Sequence, residues 1–205
     1  MFFEALYGVK RKQMKDIGQE VEDNILIQEY LSGNDGAFTV LYERYKSLLY
    51  SYLNRLLDGD RSTADDLFQQ TWIKAVDQLS KYEDRQQFRS WLLRISHNLT
   101  IDHFRKCGRL GQYEAGSLDD EEAAIDPAGH GNEPWRGMHR EELEKAVSAA
   151  VGELSPELRE VFLLRNEDVP FREIAAIQNC SINTVLARMQ YALKNLRKSL
   201  ADWNS

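Results

Sequence analysis

The residues best suited to covalent or metal chemistry are few and scattered. His97, His103, His130 and His139 share no ligand spacing with Cys107 or Cys180, whereas a tetrahedral metal site draws on clustered pairs of such residues. The sequence shows no phosphate loop, serine elbow or paired-acid motif. It therefore offers no catalytic residue, metal site or cofactor, and points away from an enzyme. What it carries is the chemistry of binding. Near the C-terminus Thr184, Ala187, Tyr191, Lys194 and Lys198 fall on one side of a helical stripe, with Asn183, Arg188 and Gln190 on its flanks. The stripe itself is Ile182, Val185, Met189, Ala192, Leu193, Leu196 and Leu200. Cations on such a face can meet phosphates or can form a solvated surface.

Those side chains need helices to hold them. Ser155-Pro156-Glu157 reads as a helix start, with the serine accepting from an orphan amide, proline at the first helical position and the glutamate favoured by the dipole. That helix is expected to bury Leu158, Val161, Phe162 and Leu164, and Val169-Pro170 interrupts it. A short helix from Phe171 to about Gln178, the turn Asn179-Cys180-Ser181 and a long helix from Ile182 to about Ala201 complete either a helix-turn-helix or an ordinary helical hairpin.

Upstream, apolar residues at Phe38, Leu41, Tyr42, Tyr45, Leu48, Leu49, Tyr52, Leu53 and Leu56 keep to the steps of three and one that an amphipathic helix requires. A second stripe runs from Leu67 through Phe68, Thr71, Trp72, Ala75 and Val76 to Leu79, with Ser62 or Thr63 as its expected cap. A third begins at Phe88 and continues through Trp91, Leu92, Ile95 and Leu99, and a shorter helix over Asp23–Leu31 packs on the three. No stretch sustains strand alternation. The fold class is all-α, with two small helical domains at 22–107 and 139–205.

Between them, residues 108–138 hold six glycines, two prolines, seven acids and only two bases, which reads as a flexible acidic linker. The chain of 205 residues carries a net charge of −7, at first sight unfavourable for a nucleic-acid binder. Outside the linker, however, 24 basic residues face 26 acidic ones, and placement then matters more than the total. The apolar residues of MFFEALYGVKRKQMKD precede its basic ones, unlike a signal peptide, and residues 1–21 are expected to form a disordered extension with Met1 or Met14 as the start. No apolar run reaches the roughly 20 residues of a membrane helix. Two cysteines fit a reducing cytoplasm.

Three stretches, in this order and spacing, resemble the extracytoplasmic-function group of RNA polymerase sigma factors, of the sigma-70 family. They are AFTVLYERYKSLLYSYLNRLL with ADDLFQQTWIKAVDQL, then FRSWLLRISHNLTIDHFRK, and finally LSPELREVFLLR with FREIAAIQNCSINTVLARMQYALKNLRKSL. The resemblance covers about 160 residues.

It implies a non-enzymatic protein that binds core RNA polymerase, directs it to promoters and helps to melt the −10 region. Asp65, Asp66, Gln69 and Gln70 would dock on the clamp of the largest polymerase subunit, with Trp72 in the core. The loop Lys81–Gln87 and the helix after it would take up the opened −10 element, through Tyr82, Arg85, Arg89, Arg94, Asn98, Arg105 and Lys106, with Asp102 orienting Arg105. The last domain, associated with the flap of the second-largest subunit, would read the −35 element through Arg172, Ser181, Asn183, Thr184, Leu186, Ala187, Arg188, Gln190, Tyr191 and Lys194. The acidic linker would run through the polymerase cleft, and an anti-sigma factor or other recruiting protein would regulate a cytoplasmic, nucleoid-associated molecule without direct membrane insertion. The sequence departs from the family at Gln70, usually glutamate, at Leu186, usually a cation, at Ala187, commonly serine, and at Gln190, usually basic or aromatic. The rival reading is a stand-alone helix-turn-helix regulator, which leaves the first domain without a task.

Overall fold

The computed structural model describes residues 21–83, 87–108 and 140–202. Residues 1–20 of the expected N-terminal extension, the acidic linker beyond Gly108 and residues 84–86 of the loop Lys81–Gln87 lie outside them. Among the described residues all regular structure is helical: α1 Asp23–Leu31, α2 Asp35–Leu56, α3 Arg61–Leu79, α4 Phe88–Lys106, α5 Arg140–Gly152, α6 Pro156–Asn166, α7 Phe171–Ile177 and α8 Ile182–Asp202. The chain divides into two compact units, one reaching His103 and the other made of most of the chain from Phe104 onward.

In the first unit α1 packs on α2 and α2 on α3. The stripes read from the sequence become its core: Leu41, Leu49, Leu53 and Leu56 of α2, Leu67, Trp72, Ala75 and Leu79 of α3, and Phe88, Leu92, Leu93 and Leu99 of α4 are all buried. Each leucine so placed contributes about 1.5–3 kcal/mol from apolar burial. Rings lock the α2–α3 seam, with Phe38 edge-on to Trp72 at 5.8 Å and Tyr42 at 5.1 Å from the same indole. The expected cap of α3 is corrected. Asp60 is the N-cap and accepts from the Thr63 amide, because the turn Asp58-Gly59 brings the chain into the helix one residue before Ser62. That turn uses the left-handed region at both residues, φ 57° and 80°, which glycine takes without strain.

In the second unit α8 packs on α6 and α5. The sequence placed one face of α6 inside, but every residue from Glu157 to Leu164 is buried, Glu157, Arg159 and Glu160 included. Arg159 explains part of this. Its guanidinium donates to the carbonyls of Val151 (3.1 Å), Gly152 and Leu154 (3.2 Å), at and just past the C-terminal end of α5, where helix carbonyls run short of intrahelical donors. Ser155 is the N-cap of α6 and Pro156 opens the helix as expected, but the serine hydroxyl makes no capping hydrogen bond. Asp168 and Asn179, both at positive φ, turn the chain between α6 and α7 and between α7 and α8.

Candidate protein and nucleic-acid interfaces

The polar flank of α3 is open to solvent along its length. Asp65, Asp66, Gln69 and Gln70 are all exposed, while Trp72 is buried beneath them. Ile73 was not singled out from the sequence, yet at 61% it is the most exposed large apolar residue among the described residues. It lies three and four positions after Gln70 and Gln69, on the same face, and adds an exposed apolar side chain to that polar surface. Its signal in the sequence was an isoleucine just off the buried stripe. Tyr50 of α2 adjoins this face: a hydrogen bond to Asp65 is the main cause that raises its phenol pKa.

On α4 the steps four, four and three place Arg94, Asn98, Asp102 and Arg105 on one exposed stripe, with Lys106 exposed beside its end. The opposite side is packed: Ser96, His97 and Thr100 are buried, and the Thr100 hydroxyl donates to the Ser96 carbonyl at 2.9 Å. Arg89 is half-buried instead of standing with the other cations. Tyr82 is half-buried with its hydroxyl turned inward. Its ring lies 5.0 Å from Trp91 and 5.7 Å from Phe88, which are themselves 5.5 Å apart. Arg85 falls outside the described residues.

The helix-turn-helix is formed by α7 and α8, and its outward face is rotated from the one expected. Asn183, Leu186, Gln190 and Lys194 are exposed, whereas Thr184, Ala187, Arg188 and Tyr191 are half-buried. The turn before α8 covers that flank. Ser181 accepts from the Thr184 amide at 3.1 Å and shares a 2.8 Å hydrogen bond with the Thr184 hydroxyl, so its side chain caps the helix. Arg188 leans back on the Cys180 sulfur at 3.8 Å. Its charge also reaches Glu157, whose carboxyl is pushed up chiefly by burial and drawn back by Arg188. Burial likewise raises the Cys180 thiol, against the same cation. The guanidinium of Arg188 is thus engaged within its own unit. Ile182, expected in the buried stripe, is 42% exposed, because it sits in the first turn ahead of Val185, the first buried position. Arg172 at the start of α7 is exposed.

Comparison with known proteins mirrors this division. Residues 41–110 match the model of sigma-70 region 2, and residues 144–196 that of sigma-70 region 4. The RNA polymerase sigma-H factor of Pseudomonas aeruginosa is 27% identical over 184 residues, spanning 87% of this chain and 94% of that protein. The ECF RNA polymerase sigma factor SigW of Bacillus subtilis is 28% identical over 184 residues, spanning 86% and 95%. Among solved structures, the co-crystal structure of the sigma factor RpoE with the anti-sigma factor NepR from Bartonella quintana aligns with a TM-score of 0.59 at 27% identity, over 80% of this chain and 96% of that one. Two helical units carrying region 2 and region 4 define a sigma factor. The chain belongs to the sigma-70 family, among the extracytoplasmic-function RNA polymerase sigma factors, and as such it directs RNA polymerase in transcription initiation. Among the described residues no helix is long and apolar enough to cross a membrane.

Proposed function

We propose that two helical regions, 22–107 and 139–205, divide promoter recognition between them. Residues 22–107 dock on the polymerase clamp through the α3 face and open the −10 element through α4. Residues 139–205 sit by the flap and read the −35 element through α8, and the acidic residues 108–138 tether the two within the cleft. The observation that carries the opening role is the single exposed stripe Arg94–Asn98–Asp102–Arg105. Cations at both ends follow a phosphate backbone, and an amide between them can meet the edge of an unstacked base. Regulation by sequestration fits a chain that aligns with a sigma factor solved in an anti-sigma complex. The work is non-enzymatic, and its place is the cytoplasm and the nucleoid.

Alanine at Asn98 tests the opening role. Transcription from duplex promoter should fall roughly five- to tenfold more than from a template whose −10 region is already unpaired, on the basis of one lost base contact. Equal losses on both templates contradict it.

A further inference from the structure

Asp23 opens α1, and α2 grips its carboxylate from two sides. Arg44 Nη1 donates to Oδ1 and the Tyr45 hydroxyl donates to Oδ2, while Arg44 Nη2 donates to the Val21 carbonyl at 2.9 Å. The pair is sheltered, with 23% and 24% of the Arg44 and Asp23 side chains exposed. Burial first, and then the bond to Asp23, raises the Tyr45 phenol well above its ordinary range, so it remains a donor across physiological pH.

Beyond its hydroxyl, the Tyr45 ring lies 5.4 Å from Phe88. Phe88 in turn touches both Tyr82 and Trp91, at 5.7 and 5.5 Å. Rings in tilted and edge contact at these separations restrict one another's rotamers. A phenol tied at its hydroxyl is therefore a fixed wall for the aromatic group that carries Tyr82. Binding constellations work only when such a supporting shell holds them close to the productive geometry.

We propose that Asp23 is a positioning residue for promoter opening: by tethering Tyr45 it sets Phe88, and with it the Tyr82–Trp91 pair, where an unstacked promoter base is received. This rests on the reading of Tyr82 as a promoter contact, and the test separates the two. Full-length Asp23→Ala, Tyr45→Phe and Tyr82→Ala proteins are assembled with core polymerase. Each is assayed on duplex and pre-opened templates, with core affinity and melting temperature measured alongside.

All three variants should lose roughly fivefold more activity on duplex than on the open template, the scale of a weakened base–aromatic stack. Asp23→Asn keeps an acceptor for the phenol and should restore most of that ratio. Lowered stability alone depresses both templates together and leaves the ratio unmoved. If Asp23→Ala fails to fold, Tyr45→Phe, which removes one oxygen, carries the same test. Selective loss for Tyr82→Ala without selective loss for Asp23→Ala or Tyr45→Phe overturns the positioning role alone. No selective loss for Tyr82→Ala overturns the promoter contact and the proposal with it.

Discussion

Along α3 the four candidate docking residues are all exposed, whereas along α8 four of eight candidate readers are drawn half inside. Both helices carry an unambiguous apolar stripe, and on both the sequence assigns the opposite side to solvent. The difference lies in what flanks them. The turn before α3 engages only Thr63, through Asp60, and leaves the docking residues beyond it free of such contacts, so that even the isoleucine at position 73 remains open. On α8 the preceding turn folds back along one flank, engaging Thr184 through Ser181 and Arg188 through Cys180. A stripe thus locates the buried side of a helix, but a neighbouring turn decides how much of the remainder is available to a partner.

The largest effect is expected where the surface is most open. Reversing charge in Asp65→Arg/Asp66→Arg should weaken binding to core polymerase at least about tenfold, since like charges across an interface are costly and exposed charges contribute little to folding. Titration of core with the variant, beside its circular dichroism, checks this. An unfolded variant would show that these carboxylates belong to the structure, and α3 and α8 would then no longer contrast.

A buried charge should behave in the opposite way. Arg159→Leu takes the guanidinium away from the Val151, Gly152 and Leu154 carbonyls, at and just past the end of α5, at a cost of about 3 kcal/mol of stability. Denaturant unfolding should record that loss. A midpoint unchanged from the native protein would mean that the α5 terminus finds other donors.

Much of the fold was legible in the sequence. The helices follow from periodicity and from the Pro and Gly punctuation, and both ends of α1 and α2 and the start of α4 lie within a few residues of expectation because those stripe ends are sharp, whereas α4 runs on to Lys106, seven residues past its last striped position Leu99. The site was legible less evenly. Exposure of Asp65, Asp66, Gln69 and Asn98 follows from their distance from a stripe. The burial of Arg159 and Glu160 does not, since a charged pair inside α6 depends on which carbonyls and groups the rest of the chain brings to it. Asp60 in place of Ser62 or Thr63 was missed for a local reason: all three residue types can cap, and the Asp58-Gly59 turn makes the choice. The clasp on Asp23 joins residues 22 apart, a pairing that no local pattern announces.

The smallest effect belongs to the recognition helix. With Ser181 and Arg188 engaged and Leu186 exposed beside Asn183 and Gln190, the exposed side of α8 offers few donors, and a leucine can meet only a thymine methyl. Transcription selection over a randomised upstream element should yield a relaxed, A/T-rich preference. Leu186→Lys should sharpen it, because each good base contact adds about 1–3 kcal/mol of discrimination. A sharp consensus for the native protein that the lysine blurs would identify Leu186 as a specific reader.

A sigma factor gives core RNA polymerase its promoters. Reconstituted transcription over a genomic promoter library, with core polymerase alone and with the protein added, tests it most directly. A defined set of start sites that rises only with the protein, and that falls with the Asp65→Arg/Asp66→Arg variant, is the result predicted. Output that never exceeds that of core polymerase alone would contradict it.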